Sequence, residues 1–184
     1  MIPKFNFTLI FALIISVKLF SQSTRTTQDF AENWKFIFDS VNTYEADDVN
    51  HASWRTLNLP HVWSIELPSD STSPTETGGG ALRGGLGWYR KTFTLLASSK
   101  GKNVFIDFDG VYTNSEIWIN GHSFGVRPNG CISFRYNLTP YLKFGNEKNI
   151  LVVKVDNSKQ PNSRWYSGSG ICRNVWLVTT NDVY

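Results

Sequence analysis

The sequence predicts an all-β sandwich, and three observations predict it. From Trp34 onward apolar residues return at every second position, turn-forming residues arrive about every eight to twelve, and no ten-residue stretch after the N-terminal segment keeps a helical period. With 184 residues and 41% apolar or aromatic side chains, the chain can bury one core but is tight for two.

The N-terminal segment stands apart from that pattern. Lys4 gives a positive start, Thr8 to Ile15 is almost unbroken apolar sequence, and Ser21-Gln22-Ser23 supplies small polar residues. This is the layout of a secretory signal peptide, with an apolar run too short for a bilayer of about 30 Å. Residues 1–22 are therefore expected to be a signal peptide and 23–184 the folded domain, exported to the periplasm or beyond, with no membrane attachment after cleavage. An uncleaved anchor is the rival reading, and Lys18 weakens the signal.

Strands follow in order. Trp34, Phe36 and Phe38 alternate with Lys35 and Ile37, and Val104, Ile106 and Phe108 alternate with Phe105, Asp107 and Asp109. "SEIWIN" (115–120) runs into Gly121, and Asn-Gly favours a tight hairpin because both central residues need positive φ, so the partner strand should lie at "HSFGV". "SFRYNL" (133–138) alternates again, "NILVVKV" (149–155) is nearly all apolar and reads as central, and "NVWLVT" (174–179) closes the series. Residues 64–87, rich in Ser, Thr, Pro and Gly, read as a long loop, which in a compact domain is usually functional or disordered.

Composition narrows the partners. A net charge of +3 without basic runs excludes nucleic acid. Seven tryptophans and a 15% aromatic share suit a core, but also sugar stacking. Two cysteines and three scattered histidines offer no metal-ligand spacing, and nothing calls for a cofactor. No Gly-x-Ser-x-Gly elbow, phosphate loop or His-Glu-x-x-His occurs. Asp107 and Asp109 share one face of a strand about 6.6 Å apart by the rise per residue, within reach of the spacing of glycosidase carboxyl pairs. They lie opposite Val104, Ile106 and Phe108, however, so they should face solvent with nothing to raise a general acid's pKa. His61, between Pro60 and Val62, fits a residue that ties a turn together better than a catalytic one.

Five ordered blocks carry a resemblance: "WRTLNLPHVWSIE" (54–66), "GGLGWYRKTFTL" (84–95), "FDGVYTNSEIWINGHSFG" (108–125), "FRYNLTPYL" (134–142) and "NSRWYSGSGICRNVWL" (162–177). Together they resemble the N-terminal sugar-binding domain of glycoside hydrolase family 2, the family of β-galactosidases, β-glucuronidases and β-mannosidases. They are most similar to exported bacterial β-galactosidases carrying the Gly-rich segment. The resemblance implies a jelly-roll β-sandwich, galactose-binding-domain-like, set ahead of an immunoglobulin-like domain and a catalytic barrel. It places the catalytic glutamates on that barrel, so this chain should hold no catalytic residue and should read as a fragment or truncated product.

The resemblance also implies a site. Loops of this domain reach over the barrel mouth, which makes Asn162, Ser163, Arg164 and Trp165 rim residues, with Arg164 donating to sugar hydroxyls and Trp165 stacking. Ser167 to Gly170 would form the turn, with Arg173 and Trp176 structural. The Gly-rich loop, with Glu76 and Arg83, is a second rim. An equal alternative has Trp165 and Tyr166 only packing a domain interface. Departures from the pattern are Val62, where relatives carry Asp, and Cys131 and Cys172, where they commonly carry Tyr; a bridge between the cysteines and independent substitution both stay open, with substitution the safer reading. Three functional readings follow: the non-catalytic domain of a family 2 hydrolase (β-galactosidase-like, or β-glucuronidase or β-mannosidase), a stand-alone carbohydrate-binding module, and a structural or interaction domain.

Overall fold

A computed structural model describes residues 25–40, 43–163 and 165–181. Ten strands form in chain order: β1 (Arg25–Asp29), β2 (Trp34–Phe38), β3 (Arg55–Leu57), β4 (Gly85–Phe93), β5 (Asn103–Phe108), β6 (Ser115–Ile119), β7 (His122–Arg127), β8 (Phe134–Asn137), β9 (Asn149–Asn157) and β10 (Val175–Thr180). They build two antiparallel sheets, ordered β1-β10-β5-β8 and β3-β2-β4-β9-β6-β7, the two layers of a jelly-roll sandwich. The only helical pieces among the described residues are three short 3-10 turns.

Register explains the core. In the six-stranded sheet Phe36 pairs with Tyr89, Tyr89 with Val153 and Val153 with Ile117, so one row of apolar side chains crosses four strands on one face. This row belongs to the main core together with Val104, Ile106 and Phe108 of β5 and Val175 and Leu177 of β10, all of them buried. The period-2 reading of β5 holds, because every second residue of that strand meets the other sheet.

The other face of the six-stranded sheet is also covered. Trp54, Trp88, Trp118 and Val152 form a second cluster, with Trp88 and Trp118 stacked at 5.9 Å between ring centres. Tyr44 and Val49, from the segment before Trp54, pack on it, and Arg90, 1% exposed, donates to the carbonyls of Ala46 at 2.8 Å and of Asp47. That cover is why "NILVVKV" shows no alternation: β9 is buried on both sides and sits fourth in a sheet of six.

Several expectations change. Phe38 is 40% exposed and does not join Trp34 and Phe36 in the core: at the end of β2 it still pairs with Gly87 of β4 but lies beyond the β3 pairing, which stops at Phe36. The segment 64–87 is not structureless: Trp63–Ile65 makes a 3-10 turn and β4 already begins at Gly85. β1 and β3 escaped the periodicity because the first is a wholly exposed polar edge and the second has only three residues. The Asn120-Gly121 hairpin forms as anticipated, with φ of 48° and 80°. Asp107 accepts two bonds from Arg135, each 2.6 Å, and Asp109 accepts from the Trp176 indole at 2.9 Å, so both acids hold the sheet surface together. No helix among the described residues is long and apolar enough to cross a membrane. The expected signal peptide, residues 1–22, lies outside the described residues.

Candidate functional site

The start of β4 and the end of β9 meet at one end of the sandwich, where Gly85 pairs with Asn157. Gly84 just before it runs so close to β9 that a side chain there would lie 2.2 Å from the Asn157 carbonyl oxygen, so only glycine fits. The Asn157 side chain is 97% hidden from solvent by its 3% exposure, and its amide is saturated. Nδ2 donates to the Gly168 carbonyl (3.1 Å) and the Ser169 hydroxyl (2.8 Å), while Oδ1 accepts from Gln160 (2.9 Å) and Asn162 (2.6 Å). Two donors and two acceptor positions are all an amide has, so this one side chain anchors the loop after β9 at Gln160, Asn162, Gly168 and Ser169.

Neighbouring backbone completes the floor. The His61 N–H donates to the Ile171 carbonyl (2.9 Å) and the Trp63 N–H to that of Ser169 (3.1 Å), which lays the 61–63 segment along 169–171. Gly170, at φ 138°, passes so close beneath it that a Cβ would meet the His61 carbonyl oxygen at 2.4 Å. Trp63 is 1% exposed, stacks on Phe36 and donates its indole N–H to the Gly84 carbonyl at 3.3 Å.

His61 ties this corner to the core, as its place in the sequence suggested. Its Nδ1 lies 2.7 Å from the Tyr89 hydroxyl, and its Nε2 lies 2.7 Å from Arg55 Nη2 and 3.2 Å from Glu66 Oε2. Burial lowers the His61 pKa, outweighing the opposing pull of Glu66. The neutral ring then accepts from Arg55 at Nε2 and donates from Nδ1 to Tyr89. Burial pushes Glu66 up, but the hydrogen bond from Arg55 leads the effects that oppose it, and the carboxyl sits below its usual value.

The Gly-rich loop is pinned by its own polar side chains. Asp70 accepts from the Thr72 hydroxyl (2.6 Å), the Thr72 N–H (2.9 Å) and Arg83 (2.8 Å), bonds that bring its pKa down to about 2. Ser73 and Thr75 both donate to the Leu82 carbonyl, at 3.1 and 2.8 Å. Asx and ST turns of this kind give order without a strand or helix, which is what the composition hid.

Between the pinned loop and the 160–169 loop lies a cleft with Asn157 and Ser169 at its base, and with Thr75, Arg83, Ser163 and Trp165 on its walls. Of the six anticipated rim residues, the structure brings Ser163, Trp165 and Arg83 to this cleft. Asn162 is exposed and stands behind it, spending its amide on Asn157. Glu76 does not line the cleft: it is exposed at the tip of the Gly-rich loop, in the left-handed region at φ 52°, where its backbone closes turns to Ser73 and Ala81. Arg164 lies outside the described residues. Trp165 is 69% exposed, so it packs into no core of this chain, and Ser163 donates to its carbonyl. Sequence reasoning missed Asn157, Gln160 and Ser169; the available signal was a polar Asp-Asn pair ending an otherwise apolar strand. The enclosed part of the cleft is about 20 Å³, room for about one water and far short of a sugar ring. Among the described residues no three His, Cys, Asp or Glu side chains are grouped to hold a metal ion.

The class of domain is thus a jelly-roll sandwich with a polar, aromatic-edged cleft at the end where β4 starts and β9 stops. Residues 27–181 match the family described as glycosyl hydrolases family 2, sugar binding domain, and the chain belongs to that family. It is 53% identical over 163 residues to the β-galactosidase BoGH2A of Bacteroides ovatus, covering 88% of this chain and 19% of that protein. It is 36% identical over 182 residues to a β-glucuronidase of Formosa agariphila, covering 91% of this chain and 18% of that one. A crystal structure of a β-glycosidase from Bacteroides vulgatus superposes with a TM-score of 0.80 at 49% identity, over 85% of this chain and 20% of that one. The chain thus spans about a fifth of the length of these relatives.

Proposed function

We propose that this chain is the non-catalytic sugar-binding domain of an exported, β-galactosidase-like family 2 hydrolase, supplying one wall of a glycoside pocket whose other wall and catalytic carboxyls lie on the parent enzyme's barrel. The observation that carries the reading is the half-built cleft: a hydrogen-bonded polar base and an exposed Trp165 beside an enclosed space too small for a monosaccharide. Asp107 is engaged by Arg135 and Asp109 by Trp176, which suits a domain that does no bond cleavage of its own. The greater identity to a β-galactosidase than to a β-glucuronidase favours a galactoside over a glucuronide. Export rests on the N-terminal apolar segment of the sequence.

Calorimetric titration of the chain with β-galactosides tests the half-site. Binding weaker than millimolar, or none, is expected; micromolar binding would instead make the chain a stand-alone carbohydrate-binding module. Assaying the full-length gene product on aryl β-galactosides and β-glucuronides separates the two substrate classes, with faster galactoside cleavage expected.

A further inference from the structure

Cys131 and Cys172 are 41 positions apart in the chain, both free, and part of no function derived above. Three sets of contacts bring them together. Tyr112 and Gly170 form an antiparallel bridge through bonds of 2.9 and 3.0 Å, which puts Cys172 across from Gly110, and the Cys172 thiol indeed lies 3.5 Å from the Gly110 carbonyl. On the other side, the Pro128 carbonyl accepts from the Asn114 N–H at 3.4 Å and from the Thr113 hydroxyl at 2.5 Å, and Gly130 lies flat against the Tyr112 ring, where any Cβ would sit 2.1 Å from it. Ser133 then reaches the Asp109 carbonyl at 3.3 Å. Residue 131 is held between these anchors, over 109–112, on the same stretch of backbone that Cys172 faces. Burial pushes the Cys172 thiol up, and the Cys131 thiol, near enough to hydrogen-bond with it, pushes the same way.

We propose that Cys131 and Cys172 are a cross-linking site that closes to a disulfide in an oxidising compartment. The exposed Cys131 reacts first: its thiolate attacks one sulfur of an oxidised dithiol, glutathione disulfide or a protein oxidant, and that disulfide breaks to release one thiol. Cys172, shielded and slower, gives up its proton and attacks the Cys131 sulfur of the mixed disulfide, expelling the second thiol. Two protein thiols are oxidised and one external disulfide is reduced to two thiols. The bond closes a loop of about 40 residues and clips the 128–133 turn to the 170–172 segment, the continuation of the Ser169 floor of the cleft. This inference does not depend on the sugar reading, since it would hold for the same backbone with any ligand.

The test treats the full reduced chain with glutathione disulfide, then alkylates it in denaturant and weighs it. The expected product is monomeric, has lost two hydrogen atoms, takes up no alkylating reagent at either cysteine, and melts on the order of 10 °C above the reduced chain, a gain reversed by dithiothreitol. Cys131→Ser, at an exposed turn position, should leave the reduced melting temperature unchanged and abolish the oxidised gain. A lasting glutathione adduct on Cys131, a disulfide-linked dimer, or two cysteines that still alkylate would each overturn the proposal.

Discussion

The floor and the rim of the cleft are a few ångströms apart and built on opposite principles. The floor is built inward: Asn157 uses all its hydrogen-bonding capacity, His61 and Trp63 are buried, and the backbone of 61–63 is bonded to that of 169–171, with the buried Ser64 hydroxyl left without a partner there. On the rim the large aromatic side chains are exposed, Trp165 at 69% and Tyr166 at 43%. A chain that buries Trp34, Trp54, Trp63 and Trp88 has ample means to cover aromatic surface. Leaving Trp165 and Tyr166 uncovered side by side on the cleft teaches that the floor serves this chain's own stability and the rim serves something outside it.

The largest expected effect comes from breaking the floor. Trp63→Ala removes the stack on Phe36, the indole bond to the Gly84 carbonyl, and the ring that lies against Gly87. The loss should be about 3 to 5 kcal/mol in denaturant unfolding, as for aromatic truncations in other cores. A loss under about 1 kcal/mol would mean that the floor is not a rigid support, and the contrast with the rim would collapse.

Acid should weaken the floor by a smaller amount. His61 has a folded pKa below its ordinary 6.5, so the unfolded chain binds a proton that the folded one resists, and stability declines as pH falls below 6.5 toward the folded value. Glu66, depressed below its ordinary 4.5, adds a second decline as pH falls through its own folded value. Urea midpoints measured from pH 8 downward should be flat above about 7 and slope down below 6.5, and His61→Gln should flatten the first part of that slope. An unchanged slope in the variant would place the acid sensitivity elsewhere.

How much of this the sequence disclosed differs between the two regions in the same way. The strands with one buried face, β5 and β8, were legible because alternation is a one-dimensional signal, and the Asn120-Gly121 turn because its chemistry is local. The rim was legible in part, through a resemblance in its block "NSRWYSGSG", which led to Ser163 and Trp165 and, through the Gly-rich loop, to Arg83. The floor was not. Asn157 matters because a β-strand ends beside a loop that returns to it from Gly168, and the one local sign, a polar Asp-Asn pair ending an apolar strand, does not tell that its partners come from a loop folding back. Glu76, named from the resemblance, stands exposed on the Gly-rich loop and away from this cleft, a placement set by backbone turns that its side chain does not announce.

The smallest expected effect on stability is the one that most sharpens the contrast. Trp165→Ala removes a large aromatic, yet at 69% exposure the side chain has little buried surface to lose, and the chain's unfolding free energy should move by no more than about 0.5 kcal/mol. The full-length hydrolase then divides the two meanings of an exposed rim. If Trp165 stacks on the sugar, the variant should raise KM and lower kcat/KM with its melting temperature intact, because a positioning residue contributes to substrate and transition-state binding and not to the fold. If Trp165 instead packs against a neighbouring domain, the full-length variant should melt earlier while its surviving folded fraction keeps normal kinetics. Since Trp165 shares the cleft wall with Ser163 and Arg83 above the Ser169 hydroxyl, the kinetic outcome is the one expected, and an early melt with unchanged kcat/KM would reassign the rim as a domain interface.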